Sequence, residues 1–357
     1  MATDPTMAVW RRAVALTGGE QPTEGPLKSH RHETYCLLVG GQFRTGHWKS
    51  REPRNGLSWF GRRCFESEEA LLSALAGRVT RIPEIDEVEG ASLRRFIEGR
   101  TIGSLVGKRG PVPPGLTSQL ASVFGEMAGV RPDSLCSARN GAAEDQAPEG
   151  DSDSAGFLDK LIRFTEEQVY ERNQVRFGGL FDLLGLDGDA FTRLRKHVLG
   201  FTERPFCLLH ADLHRENLIV DPSSRLWVID WELAMFGDPL YDLATHLHLM
   251  RYPEEQAVEF INSWRTSVES VRTGSSQGWE KDLPLLIGFK RAQSVYADVI
   301  RSATNLNAFP GRDGSMVWLT ASKLRGVVAA AADPLGLESV PSVARIADGL
   351  ARWLTGG

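Results

Sequence analysis

The chain has 357 residues, enough for two packed lobes, and its 41% hydrophobic and 24% charged residues are typical of a globular protein. A formal charge of −5 at pH 7 lacks the basic surplus of proteins that bind nucleic acid. No run of about 18 apolar residues occurs, and the opening MATDPTMAVWRRAVALTGGE has no continuous apolar segment, so we expect neither a membrane span nor a signal peptide.

The first hundred residues predict a small antiparallel sheet that carries one helix. The apolar run ETYCLLV, the Gly40–Gly41 turn and the return segment QFRTGHWKS predict a β-hairpin. ESEEALLSALAG predicts a helix, because it begins with acidic residues, repeats leucines on one side and stops at Gly77. RIPEIDEVEGASLRRFIEG predicts two further strands joined at Glu89–Gly90.

The character of the chain changes after Gly99, and the remainder is mainly helical. Helical periodicity occurs in GLTSQLASVFGEMAGV, in GFLDKLIRFTEEQVYERNQVRFGGLFDLLGL and in DAFTRLRKHVLGF. Residues 131–156 are acidic and rich in Pro, Gly, Ala and Ser, which predicts a flexible loop. Its acidic part, residues 133–153, is either a substrate lid or a surface insertion, and its composition favours the insertion.

A polar stretch interrupts this helical half at HADLHRENLIVDPSSRLWVIDWE. Two short strands, NLIVD and LWVID, are joined by a Pro-Ser-Ser-Arg turn. A hairpin brings Asn217, before the first strand, close to Asp230, at the end of the second, with Asp212 in the preceding loop. Two carboxylates and an amide oxygen are donors that Mg²⁺ prefers. His210 and His214 lack the H-E-x-x-H spacing of a zinc site.

These residues carry a family resemblance. The pattern His-x-Asp-x-x-x-x-Asn at His210, Asp212 and Asn217 resembles the catalytic loop of eukaryotic-like kinases, and VIDWE around Asp230 resembles their second metal-binding element. With the following GDPLYDLA, the stretch over residues 210–244 is most similar to the aminoglycoside phosphotransferase and choline kinase group.

The resemblance implies an α+β, bilobal protein-kinase-like fold. Residues 1–97 would form a nucleotide-binding lobe made of a small antiparallel sheet with one helix. Residues 98–357 would form a larger, mainly helical lobe for catalysis and substrate binding.

The resemblance also implies roles for individual residues. Asp212 would orient the attacking hydroxyl and accept its proton. Asn217 and Asp230 would hold Mg²⁺ against the phosphates of ATP or GTP. His210 would support the catalytic loop, and Asp242 would brace it from the following helix.

A kinase-like lobe also needs a basic residue for the phosphates and a helix glutamate that pairs with it. Lys49 is the candidate for this phosphate-binding residue, and Arg51 is the alternative. A two-residue turn at Gly40–Gly41 would place Lys49 opposite His32. Glu68 is the preferred helix glutamate among its acidic neighbours.

The remaining nucleotide contacts are expected from two segments. The loop GPLKSHRH is not glycine-rich, but Ser29 and backbone amides there could contact phosphate. The segment from Arg94 to Ile97, which includes Phe96, would act as the hinge that presents backbone groups to adenine.

The phosphoryl acceptor is expected to be a small hydroxylated molecule. The segment from Asp230 to Asp242 is too short for the peptide platform of a protein kinase, and Ala211 replaces the arginine of H-R-D. The candidate acceptor-binding residues are His214, Glu232, Asp238, Gln293 and Tyr296.

The identity of the acceptor stays open between several classes. An aminoglycoside, a nucleoside or another natural-product antibiotic would make the enzyme a resistance factor. Lys290, Arg291 and Arg301 in the candidate acceptor region weigh against a polycation. Choline, another amino alcohol or a sugar would make it a metabolic kinase. A non-catalytic kinase-like binding protein is the alternative from another class.

The spacing of the four cysteines indicates the cellular compartment. Cys36, Cys64, Cys136 and Cys207 are scattered and form no C-x-x-C pair, which predicts reduced thiols in the cytoplasm. We expect no nucleic-acid, membrane or protein-substrate partner.

Overall fold

The computed structural model describes residues 24–27, 32–39, 46–53, 64–88, 91–138, 151–308 and 313–356. The chain forms two compact units that interleave along the sequence. The first comprises Met1–Asp145, His210–Met235 and Leu249–Val271, and the second comprises Gln146–Leu209, Phe236–His248 and Arg272–Gly357. The division into lobes 1–97 and 98–357 stays a prediction.

The strands are short. In chain order they are β1 (Glu24–Leu27), β2 (His32–Val39), β3 (Gly46–Pro53), β4 (Ile85–Val88), β5 (Ala91–Arg95), β6 (Arg100–Thr101), β7 (Cys207–Leu209), β8 (Leu218–Val220), β9 (Leu226–Val228) and β10 (Met235–Gly237).

The α-helices account for most of the remaining described residues. They are α1 (Glu68–Leu75), α2 (Ile102–Val106), α3 (Pro114–Ala128), α4 (Ser154–Phe164), α5 (Gln174–Leu183), α6 (Asp189–Val198), α7 (Pro239–Met250), α8 (Glu254–Val271), α9 (Trp279–Ala308), α10 (Gly314–Ala330), α11 (Ala332–Leu335) and α12 (Val343–Leu354).

The first unit contains an antiparallel sheet with the strand order β1-β2-β3-β5-β4. Helix α1 begins at its N-cap Ser67, whose Oγ accepts a hydrogen bond of 3.0 Å from the Ala70 N–H. Its leucines are buried, and the chain leaves the helix through Gly77 at a φ of 75°. The predicted helix and strands of this region are confirmed where they are described.

The register of the β2–β3 hairpin differs from the prediction. Val39 pairs with Gly46 rather than with Gln42, so Lys49 lies opposite Cys36 and the predicted pairing with His32 is wrong. The connection is longer than a two-residue turn, and the predicted turn Gly40–Gly41 lies outside the described residues. The shift from Gln42 to Gly46 is even, so the actual partner Cys36 lies on the same face of β2 as the predicted partner His32.

A second antiparallel sheet of the first unit, with the order β6-β8-β9, contains the predicted polar hairpin. Leu218 pairs with Val228, so the two predicted strands do form a hairpin. The Asp221 carboxylate accepts hydrogen bonds from the Ser223 and Arg225 N–H groups, which closes the turn. Gly99 lets β6 approach β8, because a Cβ at this position would collide with the Val220 carbonyl oxygen.

The second unit is helical apart from the strands β7 and β10, which pair with each other. The predicted long helix over residues 156–186 is interrupted, because a π-helix (Thr165–Tyr170) and a 3₁₀ turn (Glu171–Asn173) separate α4 from α5. A 3₁₀ helix in the first unit (Pro132–Ala138) occupies the start of the predicted flexible loop; residues 139–150 of that loop lie outside the described residues.

No helix in the described segments combines the length and the apolarity needed to cross a bilayer.

Candidate active site

The loop that follows β7 carries Asp212, and its backbone is sharply turned. Ala211 has a φ of 62°, a left-handed conformation that is uncommon for a residue with a side chain. The Asn217 side-chain amide donates to the Asp212 carbonyl oxygen at 3.0 Å and lies 3.5 Å from its carboxylate Oδ2. His214 Nε2 lies 3.7 Å from the same Oδ2. The structure therefore brings the predicted residues Asp212, Asn217 and His214 together.

The hairpin brings Asp230 to the same end of the sheet. The Ile229 N–H donates to the Asn217 carbonyl oxygen at 3.0 Å, so Asp230 follows directly on the residue that faces Asn217. Asp230 also has a left-handed backbone, with a φ of 66°. The proximity expected from the hairpin is thus present, and both Asp230 and Asp212 are half-buried.

His210 ties the loop to the hairpin. Its Nδ1 accepts from the Asp212 N–H at 3.3 Å, so the neutral ring carries its proton on Nε2, 3.1 Å from the Ile229 carbonyl oxygen. The ring lies against Trp231, with 4.6 Å between ring centroids. Burial lowers the pKa of His210 to about 4. A ring that stays neutral with both nitrogens engaged fits the predicted supporting role.

The buried neutral His210 predicts a pH dependence of stability. Above pH 6.5 the imidazole is neutral in both folded and unfolded chains, and its contribution is complete. Between pH 6.5 and the folded pKa of about 4, only the unfolded chain takes up the proton, so stability falls with falling pH. The loss should approach about 3 kcal/mol at about 1.4 kcal/mol per pKa unit.

The measurement is the free energy of unfolding of the wild type and of His210→Gln between pH 7 and pH 4.5. The wild type should be the more stable protein at pH 7, and its advantage should shrink as the pH falls. A difference that is constant over this range would contradict the prediction.

Three carboxylates of the first unit converge beside this loop. Oxygen atoms of Glu68, Asp230 and Glu232 all lie within 4.8 Å of one another. Glu68 is buried, and its Oε1 accepts a hydrogen bond of 2.9 Å from the Trp231 N–H. Hard oxygen donors at this separation, with Asn217 nearby, fit a magnesium ion and not a zinc ion. Glu68 and Glu232 join the group from positions that were predicted for other roles.

The predicted nucleotide residues occupy different environments. Lys49 is half-buried, with its ammonium 4.9 Å from the centroid of the Phe96 ring, so these two residues are brought together. Ser29 lies outside the described residues. The pairing of Lys49 with Glu68 stays a prediction.

Arg94 is not in a hinge. It lies inside β5, and its guanidinium is buried against the Glu68 carboxylate at 2.8 Å and the Glu69 carboxylate at 2.6 Å. The prediction that the hinge begins at Arg94 is therefore wrong, since β5 continues to Arg95 and the extended segment begins at Phe96. The buried guanidinium binds two carboxylates of the protein, so it is not available to bind the nucleotide.

Two residues predicted to bind the acceptor are buried in the second unit, so the prediction is wrong for both. Asp238 is fully buried, and its carboxylate accepts from Arg204 Nε at 2.8 Å. Tyr296 is fully buried, and its ring stacks on Phe191 with 5.0 Å between centroids. The Asp238 carboxylate is part of a buried ion pair and the Tyr296 ring is part of an aromatic core, so neither side chain is accessible to a ligand.

The other predicted residues of this group are not fully buried. His214 and Glu232 are half-buried in the first unit, although both carboxylate oxygens of Glu232 are themselves buried. Gln293 is half-buried in the second unit, where its amide oxygen accepts a hydrogen bond of 2.8 Å from the Lys290 ammonium. Asp242, predicted to brace the catalytic loop, is buried in the first turn of α7.

Sequence reasoning missed the anchors of the catalytic loop. Arg215 is buried, donates from Nε to the Met250 carbonyl oxygen at 2.9 Å and from Nη1 to that of Gly107 at 3.1 Å. The Glu216 carboxylate accepts from Thr101 Oγ1 at 2.8 Å. Charged residues inside a polar loop carry no sign of partners so distant along the chain, so the sequence offered no signal for these contacts.

Comparisons with known proteins extend this picture. Residues 63–281 match the family model described as "Phosphotransferase enzyme family", APH. The curated protein Acyl-CoA dehydrogenase family member 11 from Mus musculus is 33% identical over 82 residues, which are 22% of this chain and 9% of that protein. The chain thus spans about a tenth of the length of this relative.

Two solved structures show the fold. A choline/ethanolamine kinase family protein from Mesorhizobium loti gives a TM-score of 0.52 at 15% identity, over 97% of this chain and 98% of that chain. A thermostable mutant of aminoglycoside phosphotransferase APH(4)-Ia, in a ternary complex with ADP and hygromycin B, gives 0.50 at 16% identity, over 91% and 99%.

The comparisons confirm three of the predictions: the α+β protein-kinase-like fold, the likeness to the aminoglycoside phosphotransferase and choline kinase group, and a small-molecule phosphotransferase as the class of enzyme. Because the matching family model covers more than half of the residues, the chain belongs to the phosphotransferase enzyme family.

Proposed function

We propose that the protein transfers the γ-phosphoryl group of ATP to a hydroxyl group of a small molecule, and that a hydroxylated antibiotic is the first acceptor class to test. The observation that carries this proposal is the convergence of Asp212, Asn217 and Asp230 on one braced loop and hairpin. Choline, other amino alcohols and sugars are the alternative acceptors.

Asp212 is the residue that would act on the acceptor. Its half-buried carboxylate would bind the acceptor hydroxyl, align its oxygen with the γ-phosphorus and take its proton as the new oxygen–phosphorus bond forms. The bond between the γ-phosphorus and the bridging oxygen breaks, and ADP leaves with the bonding electrons. His214, whose Nε2 lies 3.7 Å from that carboxylate, would contact the acceptor beside it.

Asn217 and Asp230 would hold the cation. The Asn217 Nδ2 donates to the Asp212 carbonyl oxygen, which leaves Oδ1 as the atom available to a metal. The carboxylates of Glu68 and Glu232 add negative charge around Asp230. Mg²⁺, when bound, neutralises the charge of the nucleotide phosphates during transfer.

The test is incubation of the full chain with Mg-ATP and a panel of acceptors, with ADP release and mass spectrometry as readouts. The panel holds aminoglycosides, nucleosides, macrolides, choline, ethanolamine and simple sugars, and a parallel series uses GTP. We expect one acceptor class to gain a single phosphoryl group. Absence of turnover on every acceptor, together with no nucleotide-dependent thermal shift, would overturn the proposal.

A further inference from the structure

Glu68 links three parts of the first unit through one buried carboxylate. Its Oε1 accepts from Arg94 Nη1 at 2.8 Å and from the Trp231 N–H at 2.9 Å. Arg94 lies in β5, Glu68 begins α1, and Trp231 follows the proposed magnesium ligand Asp230. The same oxygen therefore connects the sheet and its helix to the backbone of the metal-binding element.

The contact to Trp231 bears directly on Asp230. The Trp231 N–H belongs to the peptide group that starts at the Asp230 carbonyl carbon, so a hydrogen bond to it restrains the backbone torsion ψ of Asp230. Asp230 has a φ of 66°, a conformation that persists for a non-glycine residue only where surrounding contacts enforce it. The hydrogen bond from Trp231 to Glu68 is a contact of that kind.

Arg94 in turn holds Glu68. Its two terminal nitrogens bind different carboxylates, with Nη1 on Glu68 and Nη2 on Glu69 at 2.6 Å. A planar guanidinium fork held at both ends keeps a fixed orientation. Its positive charge also lies among carboxyl groups that repel one another when ionised, since Glu68, Asp230 and Glu232 are within 4.8 Å of each other.

We propose that Arg94 is a positioning residue for the metal ligand Asp230, acting through the Glu68 carboxylate and the Trp231 N–H. Arg94 would not contact the nucleotide in this role. It would fix the backbone conformation that orients the Asp230 carboxylate toward the metal. The inference rests on the proposed role of Asp230 in holding magnesium. It assigns to Arg94 and Glu68 a task other than the nucleotide contacts predicted from the sequence.

The test measures metal binding and not turnover. Mn²⁺ is titrated into the full chain in the presence of ADP, and the loss of the free-ion signal in electron paramagnetic resonance gives the dissociation constant. In Arg94→Met we expect Mn²⁺ affinity to fall roughly ten- to hundredfold, the effect typical of losing a residue that orients a metal ligand. Arg94→Lys should retain only part of the affinity. The ammonium keeps the positive charge, but it cannot bind both carboxylates as a fork.

The alternative reading of the same contacts predicts the opposite sign. If Arg94 only competes with the metal for Glu68, its removal frees a carboxylate beside Asp230, and Mn²⁺ affinity should rise. Unchanged or tighter Mn²⁺ binding in a folded Arg94→Met protein would therefore overturn the inference.

Two further variants control for folding. Arg95 is the neighbouring residue of the same strand, but its ion pair with Glu84 is exposed, so Arg95→Met should leave Mn²⁺ affinity unchanged. Glu69→Gln loosens one end of the Arg94 fork without leaving a buried charge unpaired, and it should lower the affinity in the same direction by a smaller factor. If Arg94→Met does not fold, an unchanged affinity in Glu69→Gln overturns the inference.

The wild type separates this inference from the proposed function. If the wild-type chain binds no Mn²⁺–ADP, the proposed function itself fails. If the wild type binds and the Arg94 variants bind equally well, only the role of Arg94 fails.

Discussion

Replacement of Asp212 by alanine is expected to lower the rate of phosphoryl transfer by about 10²- to 10⁴-fold, the range that a positioned general base contributes. The carboxylate is the group that would align the acceptor hydroxyl and remove its proton. Nucleotide affinity should change little, because Asn217 and Asp230 remain as the proposed metal ligands. The measurement combines single-turnover transfer with an ADP-binding titration.

A matched control for Asp212→Ala lies in the same unit, away from the loop. Glu84→Gln alters an exposed carboxylate whose ion-pair partner is the exposed Arg95, so transfer should stay within a few-fold of the wild-type rate. Loss of nucleotide binding together with transfer in Asp212→Ala would show that the substitution unfolds the loop, and the role of a base would then be unsupported.

The largest loss of stability is expected for Arg204→Met. The Arg204 side chain is fully buried and binds two fully buried carboxylates, Asp238 at 2.8 Å and Asp282 at 2.9 Å, together with the Gln277 carbonyl oxygen. Methionine would leave both carboxylates without a counter-charge. Breaking one such pair costs about 3–5 kcal/mol, so the free energy of unfolding should fall by at least this amount.

The shift in the midpoint of chemical denaturation of the second unit checks this prediction. Arg163→Met is the matched control, since Arg163 forms an exposed pair with Asp159 on α4, and exposed pairs contribute less than about 1 kcal/mol. The triple variant with Asp238→Asn and Asp282→Asn should regain part of the lost stability. Equal losses of stability in Arg204→Met and Arg163→Met would show that the buried network stabilises the protein no more than an exposed ion pair does.

The part of the site that could be predicted from sequence is the part built by local rules. Asn217 and Asp230 are close because a short turn joins the two strands that carry them, and the turn residues are visible in the sequence. Asp212 could be placed beside them because it lies in the loop that leads into the first of these strands. The family motif predicts what each residue does, whereas the hairpin alone predicts that Asn217 and Asp230 are close.

Long-range pairing explains what the sequence did not predict. The hydrogen bond between Glu68 and Trp231 joins residues 163 positions apart, and it exists only because α1 packs beside the hairpin. Asp238 resembled a pocket residue because its partner Arg204 lies 34 positions earlier in the chain, with nothing in the spacing to join them. The β2–β3 register was missed because two consecutive glycines favour a tight turn, whereas the strands close at Val39 and Gly46.

The interleaving of the two compact units limits how the protein can be dissected. The first unit draws on three separate stretches of chain, and so does the second. A recombinant fragment cut at a single position would therefore leave at least one unit without some of its own core, and would expose apolar surface to aggregation. Split halves could regain activity only by folding together, as in fragment complementation, and the order of synthesis on the ribosome delays completion of the first unit until Val271 has emerged.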